Sequence, residues 1–201
     1  MTTLRSYIFI DQLQPQTMCY LGSWIRGSLP RSKMAAQVIE VAPGLDIEAL
    51  TDVALKAANV QAGILVVERQ FGYLEIHSRD VAAVKAAAEA VLDHMQLTPD
   101  KAMKPKILAS RIVTRIDAGQ AFLINRNKGG SMILGGETLF VLETEPAAYA
   151  ILAANAAEKA ASIKIVDYRM IGATGRLYLS GNDSEVRAAA TAAELALGVA
   201  A

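Results

Sequence analysis

Gln37-Val-Ile-Glu-Val41, Lys56-Ala-Ala-Asn-Val60 and Val84-Lys85 recur, in the same order, as Phe140-Val-Leu-Glu-Thr144, Lys159-Ala-Ala-Ser-Ile163 and Val186-Arg187. The chain is therefore written twice. A repeat of roughly one hundred residues is too long for a solenoid unit, so each copy should own a core and share its fold with the other. The expected domains span 1–97 and 108–201, with 98–107 as the linker, where Pro99, Pro105 and several charges interrupt any apolar periodicity. Two related domains in one chain can occupy alternate positions of a ring that identical subunits would otherwise fill, so the duplication itself points to assembly.

Each half reads as strands and helices in one order. Leu4 to Gln12 and Met18 to Ile25 are rich in Tyr, Ile, Phe and Trp and read as strands, and Met34 to Ala42 reads as a third. Pro43-Gly44 stops that strand. Asp46 is placed to cap a helix in which Ile47, Leu50, Val53, Ala54 and Ala57 recur at helical spacing. Val60 to Arg69 and Tyr73 to Ser78 read as two more strands, and Asp80 as the cap of an alanine-rich helix. The second half gives strands Arg111 to Ile116, Ala121 to Arg126 and Thr138 to Thr144, and a helix from about Pro146 to Ala161. Strands Ile163 to Met170 and Arg176 to Ser180 and a helix capped by Asp183 complete it. The expected order is β-β-β-α-β-β-α twice, an α+β fold with helices packed on a mainly antiparallel sheet.

Composition narrows the function. More than half of the residues are hydrophobic and mean hydropathy is +0.28, which predicts that some apolar surface is covered by subunit contacts. Lys plus Arg equals Asp plus Glu, so no basic stripe invites nucleic acid or an anionic membrane. Charges interrupt every hydrophobic run before the length of about twenty residues that a bilayer requires. Met-Thr-Thr-Leu-Arg runs straight into a strand-like segment without a signal sequence, and Cys19 has no second cysteine to pair with. The expectation is a cytoplasmic, soluble protein.

Catalytic and cofactor chemistry is not indicated. His77 and His94 with one cysteine make no ligand cluster, so neither a metal nor a cofactor is expected. The glycine-rich Asn127 to Gly136 lacks the phosphate-loop pattern and precedes a strand, so it reads as a flexible hairpin. Glu40 and Glu143 match each other in the repeat and read as architectural. Cys19 reads as a small apolar filler.

Lys56-Ala-Ala-Asn-Val60 after a helix, a strand ending in a short glycine-containing turn, and Asp80-Val-Ala-Ala-Val-Lys85 together resemble the shell-protein domain of bacterial microcompartments. The second copy matches in the same places, so the resemblance covers the whole chain. Two expected strands ahead of Ala35 to Ala42 resemble the circularly permuted form of that domain, in tandem, as in the gated carboxysome-type members. The resemblance implies a homotrimer forming a pseudohexameric tile with a central pore, with other shell proteins at its edges and small polar metabolites crossing it. Stacking of two trimers is left open.

The family's pore-lining segment maps to Glu68, Arg69, Gln70, Phe71 and Gly72, and in the second half to Arg169, Met170, Ile171, Gly172, Ala173, Thr174 and Gly175. Glu68-Arg69 matches the pair that opens or occludes the pore in the gated members. A carboxylate and a guanidinium can pair in one arrangement and part in another. Lys56 and Lys159 match the family's tile-edge lysine, although a lysine in the last turn of a helix also complements the helix dipole. The pore sequence departs from the usual Lys-Ile-Gly, so the transported molecule does not carry over. Two other readings stand beside this one: a trimeric or dimeric small-molecule-binding regulator with ferredoxin-like domains, and an enzyme with its site at a subunit interface.

Overall fold

The computed structural model describes residues 2–198 and divides into two compact units, Met1–Lys104 and Pro105–Ala201. The first unit runs β1 (Thr3–Ile10), α1 (Pro15–Trp24), β2 (Ala35–Ala42), α2 (Ile47–Ala57), β3 (Gln61–Glu68), β4 (Phe71–Ser78) and α3 (Val81–Met95). The second runs β5 (Lys106–Val113), α4 (Ala118–Asn127), β6 (Thr138–Glu145), α5 (Tyr149–Ala160), β7 (Lys164–Arg169), β8 (Gly175–Gly181) and α6 (Asp183–Ala196). Each sheet is antiparallel throughout, in the order β1-β2-β4-β3 and β5-β6-β8-β7. The α+β class is as expected. The order is not, because each half is β-α-β-α-β-β-α.

The segments expected as strands at Met18 to Ile25 and Ala121 to Arg126 are helices. Their Trp, Phe and Ile content suggested strand, but the burial period is helical. Leu13, Thr17, Leu21 and Ile25 are all buried at a spacing of four, and Pro15 occupies the first turn, where its missing N–H costs nothing. In α4, Asp117 caps by accepting from the Gly119 and Gln120 amides at 2.8 and 3.3 Å, and Ala121 is buried. Only one strand precedes β2 in the first unit and β6 in the second; the other preceding element is a helix.

Smaller corrections concern ends and caps. The strand expected at Arg111 to Ile116 begins at Lys106 and ends at Val113, because its partners run from Glu145 to Leu139 on β6. The N-cap of α6 is Asn182; Asp183 is its first residue, and its carboxylate accepts from Arg187 at 2.8 Å and Thr138 at 3.2 Å. Asp46 precedes α2 but makes no capping bond, its carboxylate taking the Thr2 hydroxyl instead. Asp80 does cap α3, accepting from the Ala82 amide. The stretch 127–136 is a connection lying along β7, with Gly130 and Ser131 amides donating to Val166 and Ile165 carbonyls, and so is not a hairpin. Cys19 is exposed and fills no core.

Each sheet is covered on both faces. In the first unit Leu4, Ile39, Val41, Leu74 and Ile76 pack with Ile47, Leu50 and Ala54 of α2 and Val84, Ala87 and Val91 of α3. In the second unit, Ala121 and Ile124 of α4 pack with Leu139, Val141, Val166 and Tyr178. Phe140 and Leu142 alternate with those β6 residues, so they point to the other face. Two helices thus lie against one face and one against the other. Among the described residues, no helix is long and apolar enough to cross a membrane.

Candidate functional site

The two turns expected to line a pore are built differently. β3 and β4 stay paired out to Glu68 and Phe71, so Arg69 and Gln70 form a two-residue turn, with Arg69 in the left-handed region at φ 54°. Glu68, Arg69 and Gln70 are exposed. The Arg69 Nε stands 3.9 Å from Glu68 Oε1, and the Arg69 side chain is 90% exposed, so water screens this pair and holds neither partner firmly. In the second unit the last pair is Arg169 with Arg176, and Met170 to Thr174 form a wider loop. Arg169 and Ala173 are exposed; Ile171, Gly172 and Thr174 are half-buried.

Four expected lining residues turn inward or have no side chain to present. Phe71 is the first residue of β4, is buried, and lies under the Arg5 guanidinium, 3.8 Å from the ring centroid. Met170 is fully buried. Gly72 backs onto the Gly44 carbonyl and the Ile47 side chain, and a Cβ there would come within 2.7 Å of Ile47 Cβ. Gly175 is also buried, against Ala147 and Ala150. These residues shape the turns from beneath.

Both glycines press against the start of a helix that ends in an expected edge lysine. Gly72 packs on the Gly44–Ile47 approach to α2, and Lys56 sits on the last turn of α2. Gly175 packs on Ala147 and Ala150 at the start of α5, and Lys159 sits on the last turn of α5. At about 1.5 Å of rise per residue, turn and lysine are roughly 15 Å apart along the helix in each unit. Lys56 is exposed and pairs with Asp52 at 2.6 Å, one helical turn back. Lys159 is exposed.

Beneath each turn, the repeated glutamate is a structural anchor. Glu40 is buried and accepts from Arg5 Nε at 2.6 Å. Glu143 accepts from Thr174 Oγ1 at 2.8 Å and Arg176 Nε at 3.1 Å, and these two bonds, the Thr174 one foremost, hold its carboxyl below the usual range. Arg5 is inconspicuous in the sequence because it sits in a strand of otherwise apolar periodicity. That lone charge inside Leu4 to Ile10 was the available signal.

A second buried polar pair lies on β4. Glu75 and His77 are both fully buried, with Glu75 Oε1 3.0 Å from His77 Nδ1. Burial pushes the Glu75 carboxyl up against the lowering effect of His77 and the Gly63 amide. Tyr178 and Ser180 take these positions in the second unit, so the pair is a property of one half. Among the described residues, no group of three or more His, Cys, Asp or Glu side chains is placed to hold a metal ion.

A duplicated α+β unit, each copy with an exposed turn at one end of a helix and an exposed lysine at the other, is the arrangement that the resemblance to shell proteins implies. The CsoS1D N-terminal domain family matches residues 4–101, and the BMC domain family matches residues 138–200. The chain is 47% identical to the carboxysome shell protein CcmP of Synechococcus elongatus over 96% of its length and 91% of that protein. It is 44% identical to the carboxysome shell protein CsoS1D of Hydrogenovibrio crunogenus, over 98% of this chain and 97% of the other. Among solved structures, the fused permuted hexameric shell protein of the RMM microcompartment superposes with a TM-score of 0.96 at 69% identity, covering 98% and 96% of the two chains. The double ringed trimeric shell protein of the same microcompartment gives 0.95 at 42% identity, covering 98% and 97%. The chain belongs to the tandem-domain, circularly permuted shell proteins of bacterial microcompartments. It is a structural component of such a shell, within the cytoplasm, and not an enzyme.

Proposed function

We propose that three copies of this chain close into a pseudohexameric tile whose six turns surround a central pore and whose six helix-end lysines lie at the perimeter. The observation that carries this reading is the opposition of turn and lysine along α2, repeated along α5. A tile needs its pore element and its edge element at opposite ends of each unit. Two of its relatives are described as hexameric and trimeric assemblies.

Glu68, Arg69 and Gln70 from the first unit and Arg169, Ile171, Gly172, Ala173 and Thr174 from the second present the pore surface. Phe71, Gly72, Met170 and Gly175 support it. Charged groups in a narrow opening focus the field and favour small polar metabolites. Three exposed Glu68–Arg69 pairs, each held weakly, form a two-state constriction: extended toward the axis they occlude it, and folded back they open it. Lys56 and Lys159 pack by their stems along neighbouring tiles while their ammonium groups reach backbone carbonyls.

The test is the pore of Arg69→Ala. Cryo-EM classes of the wild-type assembly should include a narrow pore that disappears in the variant. An identical distribution of pore diameters in both would remove Arg69 from the gate.

A further inference from the structure

The geometry points to Arg5 as the positioning residue of the first turn: it acts through Phe71 to fix the turn's backbone, so that only the Glu68 and Arg69 side chains change state. The inference rests on the reading of that turn as a pore element.

Arg5 occupies the bulge between Leu4 and Ser6, where the register of β1 against β2 shifts. That irregularity turns a residue of an apolar strand toward Glu40 and Phe71. Its Nε donates to Glu40 at 2.6 Å, its Nη1 to the Met103 sulfur at 3.7 Å, and its guanidinium covers the Phe71 ring at 3.8 Å. The residue is only 8% exposed, and its Nη2 finds no partner. Such a charge is held in place by one strong bond and one face-on stack, because burial shields both from solvent. Phe71 stands directly opposite Glu68 in the ladder, and Arg69 and Gln70 are all that lies between them. Fixing Phe71 therefore fixes both feet of the turn.

The second unit shows what the turn looks like without this clamp. The spacing that separates Gly72 from Gly175 puts Leu108 at the bulge, Glu143 in place of Glu40 and Thr174 in place of Phe71. Leu108 is 49% exposed and binds nothing polar there. The glutamate is then tied directly to the loop through Thr174 and Arg176, both partly open to water. The ladder ends earlier, at Arg169 and Arg176, and the loop is wider. The repeated glutamate anchors both turns, but only the first is anchored through a buried guanidinium.

Hydrogen–deuterium exchange of the assembled full chain, resolved by peptide, tests this with Arg5→Lys and Phe71→Leu. Lysine keeps a positive charge near Glu40 but lacks the planar face, and leucine removes the ring while leaving the Arg5–Glu40 pair intact. Each variant should speed exchange of the amides of the last ladder pair, Glu68 and Phe71, at least fivefold, leave 81–95 of α3 and 169–175 unchanged, and show no further increase when combined. Unchanged exchange at Glu68 and Phe71 would overturn the assignment. So would equal acceleration across the whole first unit, or failure of both variants to fold, since Arg5 would then support the unit and not the turn. Exchange reports the turn whether or not it lines a pore; if imaging places the turns away from the symmetry axis, the pore reading fails and the Arg5 result still stands.

Discussion

Gly72 and Gly175 show how one missing atom fixes the site. Each lies where a strand crosses the entry to a helix, with backbone and side chain too close to admit a Cβ. Gly72→Ala and Gly175→Ala should each lower stability by about 1–3 kcal/mol in chemical denaturation, as overpacked sites do. Alanine at the exposed Gly119, where the nearest atom is its own cap at 3.0 Å, should cost no more than about 0.5 kcal/mol. Glu75 makes a second prediction. Its folded carboxyl titrates above its unfolded value because burial disfavours the charge. The folded state therefore binds more protons over that interval, and this group's contribution to stability is present below the unfolded pKa and lost as pH rises toward the folded one. Glu75→Gln removes the titration. The melting temperature of the variant minus that of the wild type should become more positive from pH 4 to pH 7, and a difference independent of pH would contradict the assignment.

Helices α1 and α4 are where composition points to strand and the chain forms helix. The β-rich composition of Tyr20, Trp24 and Ile25 outweighed the spacing of Leu13, Thr17, Leu21 and Ile25, because β-propensity reflects a half-buried surface that a helix against a sheet also offers. Pro15 and Asp117 were the legible helix-start signals. By contrast, α2 and α3 were legible because their apolar spacing and flanking Pro43-Gly44 and Asp80 agree with one another, whereas the break expected at 70–72 between β3 and β4 lies at 69–70, with Phe71 and Gly72 paired inside β4. The pore turns and lysines were found by resemblance and repetition. The Arg5–Glu40 and Glu143–Thr174–Arg176 bonds were not, since contacts between strands distant in sequence leave no local pattern, nor was the Glu75–His77 pair, because nothing local shows that two polar residues one alternation apart on β4 are both buried. At this scale Leu21→Ala, at a fully buried position of α1, should cost about 2–5 kcal/mol in denaturant unfolding. Asp117→Ala should cost about 1 kcal/mol by loss of the α4 cap. A cost below about 0.5 kcal/mol for Leu21→Ala would mean that α1 is not part of the folded core.

As a whole molecule, the chain is a duplicated unit whose halves share one topology and differ in their turns. The helices and ladders repeat, whereas the first turn is tight and charged and the second is wide and mostly small-sided. Such divergence suits a ring with alternating positions, which identical subunits cannot provide. Lys56→Ala with Lys159→Ala should leave the melting temperature of the isolated tile within about 2 °C, because an exposed pair such as Lys56–Asp52 contributes little. The same double variant should lose the ability to form extended sheets by negative-stain microscopy; sheets indistinguishable from wild type would exclude the edge role. Where turns and lysines lie in the assembly is read directly from a cryo-EM reconstruction of the purified protein. The expected result is a threefold particle, single or stacked, with Arg69 and Ala173 around the axis and Lys56 and Lys159 on the perimeter. A monomer or dimer, or a trimer with the lysines at its centre, would contradict it.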